Sequence, residues 1–163
     1  MLGELPRRFY LLLFIVLVAG NVSVYREIFA PEVLRITVLE MGEKGSAILM
    51  RSPNGTTILI NTGPDASILR ALGRELPPWQ RKIDTVLLTN EKSSVTGGLA
   101  DVTSHYRVKS VVRSGTQFSL GNASINILSS DTFTVLYGTT SFTISSSTPA
   151  GIYISNGKTI TRL

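Results

Sequence analysis

The order of short apolar segments between residues 34 and 113 limits the fold of this chain most. Leu34–Leu39 alternates apolar and polar residues with period two, which is typical of a β-strand. Two further apolar segments, Ala47–Met50 and Thr57–Ile60, flank the sequence Ser52-Pro53-Asn54-Gly55. A Gly- and Asn-containing turn between two such segments is a strong hairpin signal. The region therefore predicts a strand followed by a β-hairpin.

Helical and strand segments then alternate. Asp65–Leu76 predicts a helix that Asp65 caps and Pro77-Pro78 ends, with apolar residues recurring on one face. Ile83–Leu88 is nearly all apolar, as expected of a strand buried on both faces. A second helix beginning at Gly97-Gly98 precedes a strand over Val108–Val112. The strand-helix-strand-helix-strand order predicts an α/β layered sandwich.

The last fifty residues differ in character. Ser and Thr dominate Ser114–Leu163, and its charged side chains are Asp131, Lys158 and Arg162. Turn sequences occur at Gly121-Asn122, Tyr137-Gly138 and Asn156-Gly157. This segment predicts a series of β-hairpins.

The cysteine and histidine counts exclude several kinds of chemistry. The 163 residues include no Cys and one His, His105. Disulfides, thiolate ligands and thiol nucleophiles are therefore excluded. One imidazole cannot form a His-rich zinc centre. His105 precedes Tyr106 at a predicted helix end, where it is interpreted as a surface residue.

The N-terminus predicts a membrane segment. Arg7 and Arg8 precede an uncharged, largely apolar run, Phe9–Tyr25, whose 17 residues lie near the lower limit for a spanning helix. We expect a cytoplasmic N-terminus over 1–8, a transmembrane anchor over 9–26, a linker over 27–33 and an extracytoplasmic domain over 34–163. The alternative is a cleaved signal peptide and a secreted domain, although no Ala-x-Ala site follows the run.

Residues 34 to 115 resemble a known domain. The opening strand, the Ser52–Gly55 hairpin, the Ile58–Pro64 segment, the Ile83–Thr89 strand and Gly97-Gly98-Leu99 are similar, in order, to landmarks of one family. That family is the C-terminal metallo-β-lactamase-like domain of the competence DNA-uptake channels (ComEC type). The resemblance implies an abbreviated metallo-β-lactamase-like fold, and the N-terminal apolar helix is similar to the membrane segment before this domain.

The family's metal motif is altered here. The family motif reads Thr-His-x-Asp-x-Asp-His-x-x-Gly-Gly, and Thr89–Gly98, which is one residue shorter, keeps its first Thr and its last two Gly. The four metal-ligand positions of this motif carry Asn90, Lys92, Ser94 and Val95 here. A fifth family ligand, an aspartate before Thr62, is Asn61 in this sequence. The resemblance therefore implies a degenerate former metal site, with no metal, no cofactor and no catalytic residue.

These observations favour a membrane-anchored, non-catalytic interaction or scaffold module, linked through the resemblance to DNA uptake. Because the domain is shorter than the family's, we expect an open strand edge that a protein partner or a second copy covers. A less favoured alternative is a metal-dependent hydrolase or nuclease with an unrecognised site. The fourth interpretation is a decaying gene remnant. The retained apolar periodicity of the strands and helices argues against it.

A passive nucleic-acid-binding module is the second hypothesis. Residues 31–163 carry a net charge of +4. Alternate residues of the last predicted α/β strand are basic, and further cations surround the first helix and its exit. The candidate phosphate contacts are Arg70, Arg74, Arg81, Lys82, Arg107, Lys109 and Arg113. No aromatic residue alternates with these cations, as a stacking platform for single strands would require, so a solvated basic rim is the alternative.

Overall fold

The structure, a computed structural model, describes residues 7–28, 33–41, 46–113, 117–120, 123–129, 132–145 and 147–163. The chain divides into two compact units, Met1–Pro31 and Glu32–Leu163. The turn predicted at Gly121-Asn122 lies outside the described residues.

In the first unit, residues 7–28 form a helix of 22 residues, α1 (Arg7–Ile28). It overlaps the apolar run that the sequence predicts as an anchor. Within the described part of the chain, none of the helices combines the length and the hydropathy that crossing a bilayer requires. The anchor over residues 9–26 and the placement of its two flanks stay predictions.

The described residues of the second unit form two β-sheets and three helices. Its strands are β1 (Leu34–Glu40), β2 (Ser46–Arg51), β3 (Thr57–Ile60), β4 (Lys82–Leu88), β5 (Arg107–Arg113), β6 (Gln117–Leu120), β7 (Ala123–Ser129), β8 (Thr132–Tyr137), β9 (Thr140–Ser145), β10 (Gly151–Ser155) and β11 (Ile160–Arg162). The helices are α2 (Ser67–Glu75), α3 (Ser93–Thr96) and α4 (Leu99–His105). The predicted mixed α/β class is confirmed.

The larger sheet has seven strands in the order β11-β10-β1-β2-β3-β4-β5. The predicted hairpin is confirmed, since β2 pairs antiparallel with β3. Strands β3, β4 and β5 run parallel, with α2 connecting the first pair and α3 with α4 connecting the second. Parallel strands need such crossover connections. The C-terminal hairpin β10–β11 joins this sheet beside β1, a placement that the sequence did not predict.

The smaller sheet, β6-β7-β8-β9, is antiparallel and two-faced. Ile125, Phe133 and Val135 pack inward against the larger sheet. The opposite face carries hydroxyl side chains such as Thr134 and Thr143, whose Oγ1 atoms lie 3.1 Å apart. The Ser- and Thr-rich composition of this region is therefore explained by strands with one face buried and the other polar.

Helices α2 and α4 cover the other face of the larger sheet. Ile68 and Leu72 of α2 and Val102 of α4 are fully buried against Leu49 and Leu59. The shared face predicted for α2 is thus confirmed. The predicted cap is wrong, because Asp65 lies one residue before the N-cap, Ala66. Its Oδ1 instead accepts a hydrogen bond from the Ser67 N–H at 2.8 Å, as in an Asx turn.

Candidate functional site

The carboxyl ends of β3 and β4 meet at one edge of the larger sheet, because the two strands run parallel. Ligand sites of open α/β sheets form at this edge. Asn61 follows β3 directly and has a φ of 60°, a left-handed conformation that Asn tolerates better than most residues. Its N–H donates to the carbonyl of Leu87 at 2.8 Å, which ties the end of β3 to β4.

The side chain of Asn61 closes the gap between these strand ends. Its Oδ1 accepts two hydrogen bonds from Thr89, from the N–H at 3.0 Å and from Oγ1 at 3.1 Å. Asn61 is only 5% exposed. Both donors bond to the same oxygen, so Asn61 Oδ1 already has two hydrogen-bond partners within the protein. A neutral amide makes these contacts without requiring a nearby cation.

A second set of bonds joins the residue after Asn61 to α3. The Thr62 N–H and Thr62 Oγ1 both donate to the carbonyl of Val95, at 2.8 and 2.9 Å. The side chain of Val95 is 6% exposed and belongs to the apolar cluster under α2 and α4. At this position, therefore, the chain contributes packing rather than a metal ligand.

The loop between β4 and α3 also contains hydrogen bonds of its own. Asn90 Oδ1 accepts a hydrogen bond from the Lys92 N–H at 2.9 Å. The Lys92 carbonyl in turn accepts from the N–H of Val95 at 2.9 Å, and the side chains of Lys92 and Ser94 are exposed. This geometry is an Asx turn leading into one helical turn.

Two glycines bring the segments of this edge into close contact. A Cβ on Gly98 would lie 2.4 Å from the carbonyl oxygen of Thr62, and one on Gly97 would lie 1.9 Å from that of Pro64. The Gly98 N–H donates to the carbonyl of Gly63 at 3.1 Å. Only glycine permits this approach of backbone to backbone.

The residue after β1 covers the same edge. Met41 places its Cε 2.6 Å from the position that a Cβ on Gly63 would occupy, and Gly63 has a φ of 71°. The side chain of Met41 is partly buried against the apolar cluster under α2 and α4. An apolar side chain therefore lies over the turn that follows Asn61.

The five positions that the resemblance assigns to a former metal site lie in two neighbouring segments of the described chain. The segments around Asn61 and Val95 are bonded together, Asn90 and Lys92 share one turn, and Ser94 points to solvent. An engaged amide, an ammonium group and valine methyls do not provide the ligands that zinc or magnesium takes. Across the residues that the structure describes, no three His, Asp or Glu side chains group together as metal ligands. The residues at these positions therefore do not fit the metal that the resembled family binds.

The seven predicted phosphate contacts separate into two regions and one isolated residue. Arg70 and Arg74 lie on α2, in a groove shared with Glu40. A second group lies at the start of β4 and β5 and comprises Arg81, Lys82, Arg107 and Lys109. Arg113 ends β5 beside Leu88, about 20 Å along the strand from Arg107. The structure therefore does not bring all seven cations into one patch.

One carboxylate accompanies the second group. Asp84 forms an ion pair with Lys82 and accepts a hydrogen bond from the Thr57 N–H at 3.0 Å. The Lys82 ammonium, then the Thr57 N–H and the charge of Lys109, hold the pKa of Asp84 below its ordinary value. Asp84 is therefore ionised at neutral pH and offsets one of these cations.

Sequence reasoning missed Trp79, which is 84% exposed. It lies in an open groove with Arg81, Lys82 and Arg107. The local sequence Pro77-Pro78-Trp79-Gln80-Arg81-Lys82 contains the signal, an aromatic residue between a proline pair and two cations. An aromatic residue that alternates with cations within a strand indicates a stacking platform, whereas Trp79 precedes a strand.

No protein-family model matches this sequence, and no curated protein matches it either. Among solved structures, a subclass B3 metallo-β-lactamase from a soil metagenome library matches at 14% identity and a TM-score of 0.47, covering 67% of this chain and 60% of that one. The chemotaxis sensor ODP, in a peroxy diiron species, matches at 16% identity and a TM-score of 0.46, with 63% and 54% covered. A diphosphatase from the PhnP family matches at 17% identity and a TM-score of 0.45, with 68% and 60% covered. The chain spans just over half the length of these proteins.

Proposed function

We propose that residues 34–163 form a metallo-β-lactamase-like domain that has replaced its metal centre with internal contacts and acts as a non-catalytic binding module. The observation that carries this proposal is the pair of hydrogen bonds from Thr89 to Asn61 Oδ1. They occupy the oxygen that, by the sequence resemblance, stands where the family has a metal-binding carboxylate. The link to DNA uptake rests on that resemblance alone.

The contrast between kept and exchanged residues supports the proposal. Gly97 and Gly98, which hold the two segments of the edge together, keep the family pattern. The residues at the ligand positions differ, and each has a contact or an exposure that suits its own chemistry: a bonded amide, a buried valine and an exposed lysine. This contrast supports a domain that keeps the backbone framework of the edge without its metal chemistry.

An enzyme with an unrecognised centre is the weaker proposal. General acid–base or metal-assisted hydrolysis needs carboxylates or imidazoles that converge on one point. In the described residues, Asp84 is committed to Lys82, and Glu75 lies 3.9 Å from Arg35. His105 is exposed at the end of α4, with Nδ1 3.0 Å from the carbonyl of Asp101. These groups lie in separate places and do not converge.

The binding module we propose offers β5 as an open edge, since this strand ends the seven-stranded sheet. Antiparallel pairing of two copies about Ser110 would place Arg107 opposite Arg113 in both halves. Like charges directly opposite each other destabilise strand pairs. We therefore propose a different protein, rather than a second copy, as the occupant of this edge. Residues 9–26 would hold the module at the cell membrane.

Metal binding tests the proposal. The melting temperature of the purified full chain is measured with and without equimolar Zn²⁺ and Mn²⁺. The matched comparison is a variant that restores the family ligands: Asn61→Asp, Asn90→His, Lys92→Asp, Ser94→Asp and Val95→His. A ligand that binds only the native state raises its stability. We expect no shift for the wild type and a rise of several degrees for the restored variant.

A metal-dependent rise in the wild type would overturn the proposal. Because the Val95→His change disturbs a buried position, circular dichroism of the restored variant without metal is recorded first. A four-site variant that keeps Val95 serves as the comparison if folding is lost. If either variant binds metal and the wild type does not, the absence of metal binding in the wild type is assigned to the exchanged side chains.

A further inference from the structure

A groove at the amino-terminal end of the parallel strands lies outside the former metal site, which is at their carboxyl ends. It opens at the amino ends of β4 and β5, about 20 Å along β4 from the edge described above. Its volume is about 550 Å³. Among the described residues that line it are three cations, Arg81, Lys82 and Arg107, and no carboxylate. Its charge therefore favours an anionic ligand.

Trp79 is held in this groove by a turn with little freedom. The Gln80 N–H donates to the carbonyl of Pro77 at 2.9 Å, which closes the turn, and Pro78 restricts its backbone. The Gln80 side-chain amide also donates to Thr57 Oγ1 at 3.0 Å. An 84% exposed indole on such a turn offers a flat apolar face at low conformational cost.

The sheet places the three cations in the same groove as this indole. Lys82 and Arg107 are directly paired residues of β4 and β5. The Arg107 N–H donates to the carbonyl of Arg81 at 2.8 Å, and the Arg81 guanidinium lies 5.9 Å from the centre of the Tyr106 ring. Of these three cations, Lys82 forms an ion pair with Asp84, so the two arginines leave the groove with a positive surplus.

A flat aromatic face beside several cations suits a ligand with a planar ring and a phosphate group. We propose that this groove binds a nucleoside phosphate unit, with its base stacked on Trp79 and its phosphate oxygens contacted by Arg81, Lys82 and Arg107. Arginine and lysine are the usual partners of phosphate, and base stacking on aromatic rings is tolerant of sequence. The unit arrives as a free nucleotide or as part of a single strand. The inference rests on the proposed binding module and names its ligand class.

The chain contains one Trp, so its fluorescence reports on this groove directly. The full chain is titrated at low salt with adenosine monophosphate and, separately, with a twelve-residue oligothymidylate. Adenosine and inorganic phosphate are the probes that lack one half of the unit. We expect saturable quenching by a probe that carries both base and phosphate, at concentrations at least tenfold below those of either half. A response to the mononucleotide identifies a free nucleotide as sufficient, and a response to the oligothymidylate alone identifies a single strand.

Variants locate the binding. The variant Arg81→Ala/Lys82→Ala/Arg107→Ala is expected to weaken binding at least tenfold, and Arg113→Ala, at the far end of β5, less than twofold. Trp79→Ala, followed by the anisotropy of a labelled probe, is expected to weaken binding about tenfold. Far-UV circular dichroism confirms that each variant folds.

Three results would overturn the inference. They are no quenching by either nucleotide probe, equal losses for Arg113→Ala and the triple variant, and a blue shift with phosphatidylglycerol vesicles in the absence of any nucleotide response. The last would assign Trp79 to a membrane contact. Metal binding is measured separately. A chain that binds both zinc and a nucleotide would contradict the metal-free proposal but would still support nucleotide binding in this groove.

Discussion

Replacing Asn61 tests whether this side chain locks the carboxyl ends of β3 and β4. The change Asn61→Ala removes the acceptor of two hydrogen bonds from Thr89 in a site that is 5% exposed. Losing such a buried acceptor costs about 1–3 kcal/mol. Alanine must also adopt the left-handed conformation, with φ at 60°, which costs about 1–2 kcal/mol more. We expect the free energy of unfolding to fall by about 2–5 kcal/mol.

Two further variants separate these contributions. Asn61→Gly loses the same hydrogen bonds but adopts a positive φ without strain, so its loss should be about 1–2 kcal/mol smaller than that of alanine. Asn54→Ala is the matched control, because the Asn54 side chain accepts one hydrogen bond from the Thr56 N–H in an exposed turn. Its expected cost is about 0.5 kcal/mol, as for other exposed surface positions.

Urea unfolding of the full chain, followed by circular dichroism, measures all three variants. A loss below about 1 kcal/mol for Asn61→Ala, or one equal to that of Asn54→Ala, would show that Asn61 does not lock the edge. Equal losses of unfolding free energy for the alanine and glycine variants would refute only the contribution of the backbone conformation.

The packing of Gly98 and the ion pair of Asp84 give two other predictions. Gly98→Ala should destabilise by about 1–3 kcal/mol in urea unfolding, because its Cβ would lie 2.4 Å from the Thr62 carbonyl oxygen. Gly73→Ala, in open space on α2, should instead stabilise by about 0.5–1 kcal/mol, and the reverse order would contradict the packing. Because the pKa of Asp84 is lowered in the folded state, its stabilisation is present above about pH 4 and lost below it. The stability advantage of wild type over Asp84→Asn should therefore shrink from pH 5 to pH 2, and a constant difference would exclude this ion pair as its source.

Most elements of the second unit follow from local patterns in the sequence. Period-two alternation predicts β1, the Pro53-Asn54-Gly55 turn predicts the β2–β3 hairpin, and the recurrence of Ile68 and Leu72 predicts the buried face of α2. These signals depend on neighbouring residues, so they can be read without knowledge of the tertiary structure. The one-turn helix α3 was missed because four residues carry too short a pattern.

Features that depend on distant residues could not be predicted in the same way. The hairpin β10–β11 carries a turn signal at Asn156-Gly157, but nothing local indicates that it pairs with β1. The sequence shows an amide at position 61, where the resemblance implies a family aspartate. Only the parallel register of β3 and β4 brings that amide to Thr89.

The most direct measurement of the central claim is the amount of zinc that the chain retains. The purified full chain and its ligand-restored variant are each dialysed against micromolar Zn²⁺, and bound metal per chain is determined by elemental mass spectrometry. Since the residues of this edge bond to one another and provide no ligand set, we predict far less than one zinc per wild-type chain and retained zinc in the restored variant. One or more zinc ions held by the wild type, and lost on changing Asn61 or Asn90 to Ala, would contradict the account.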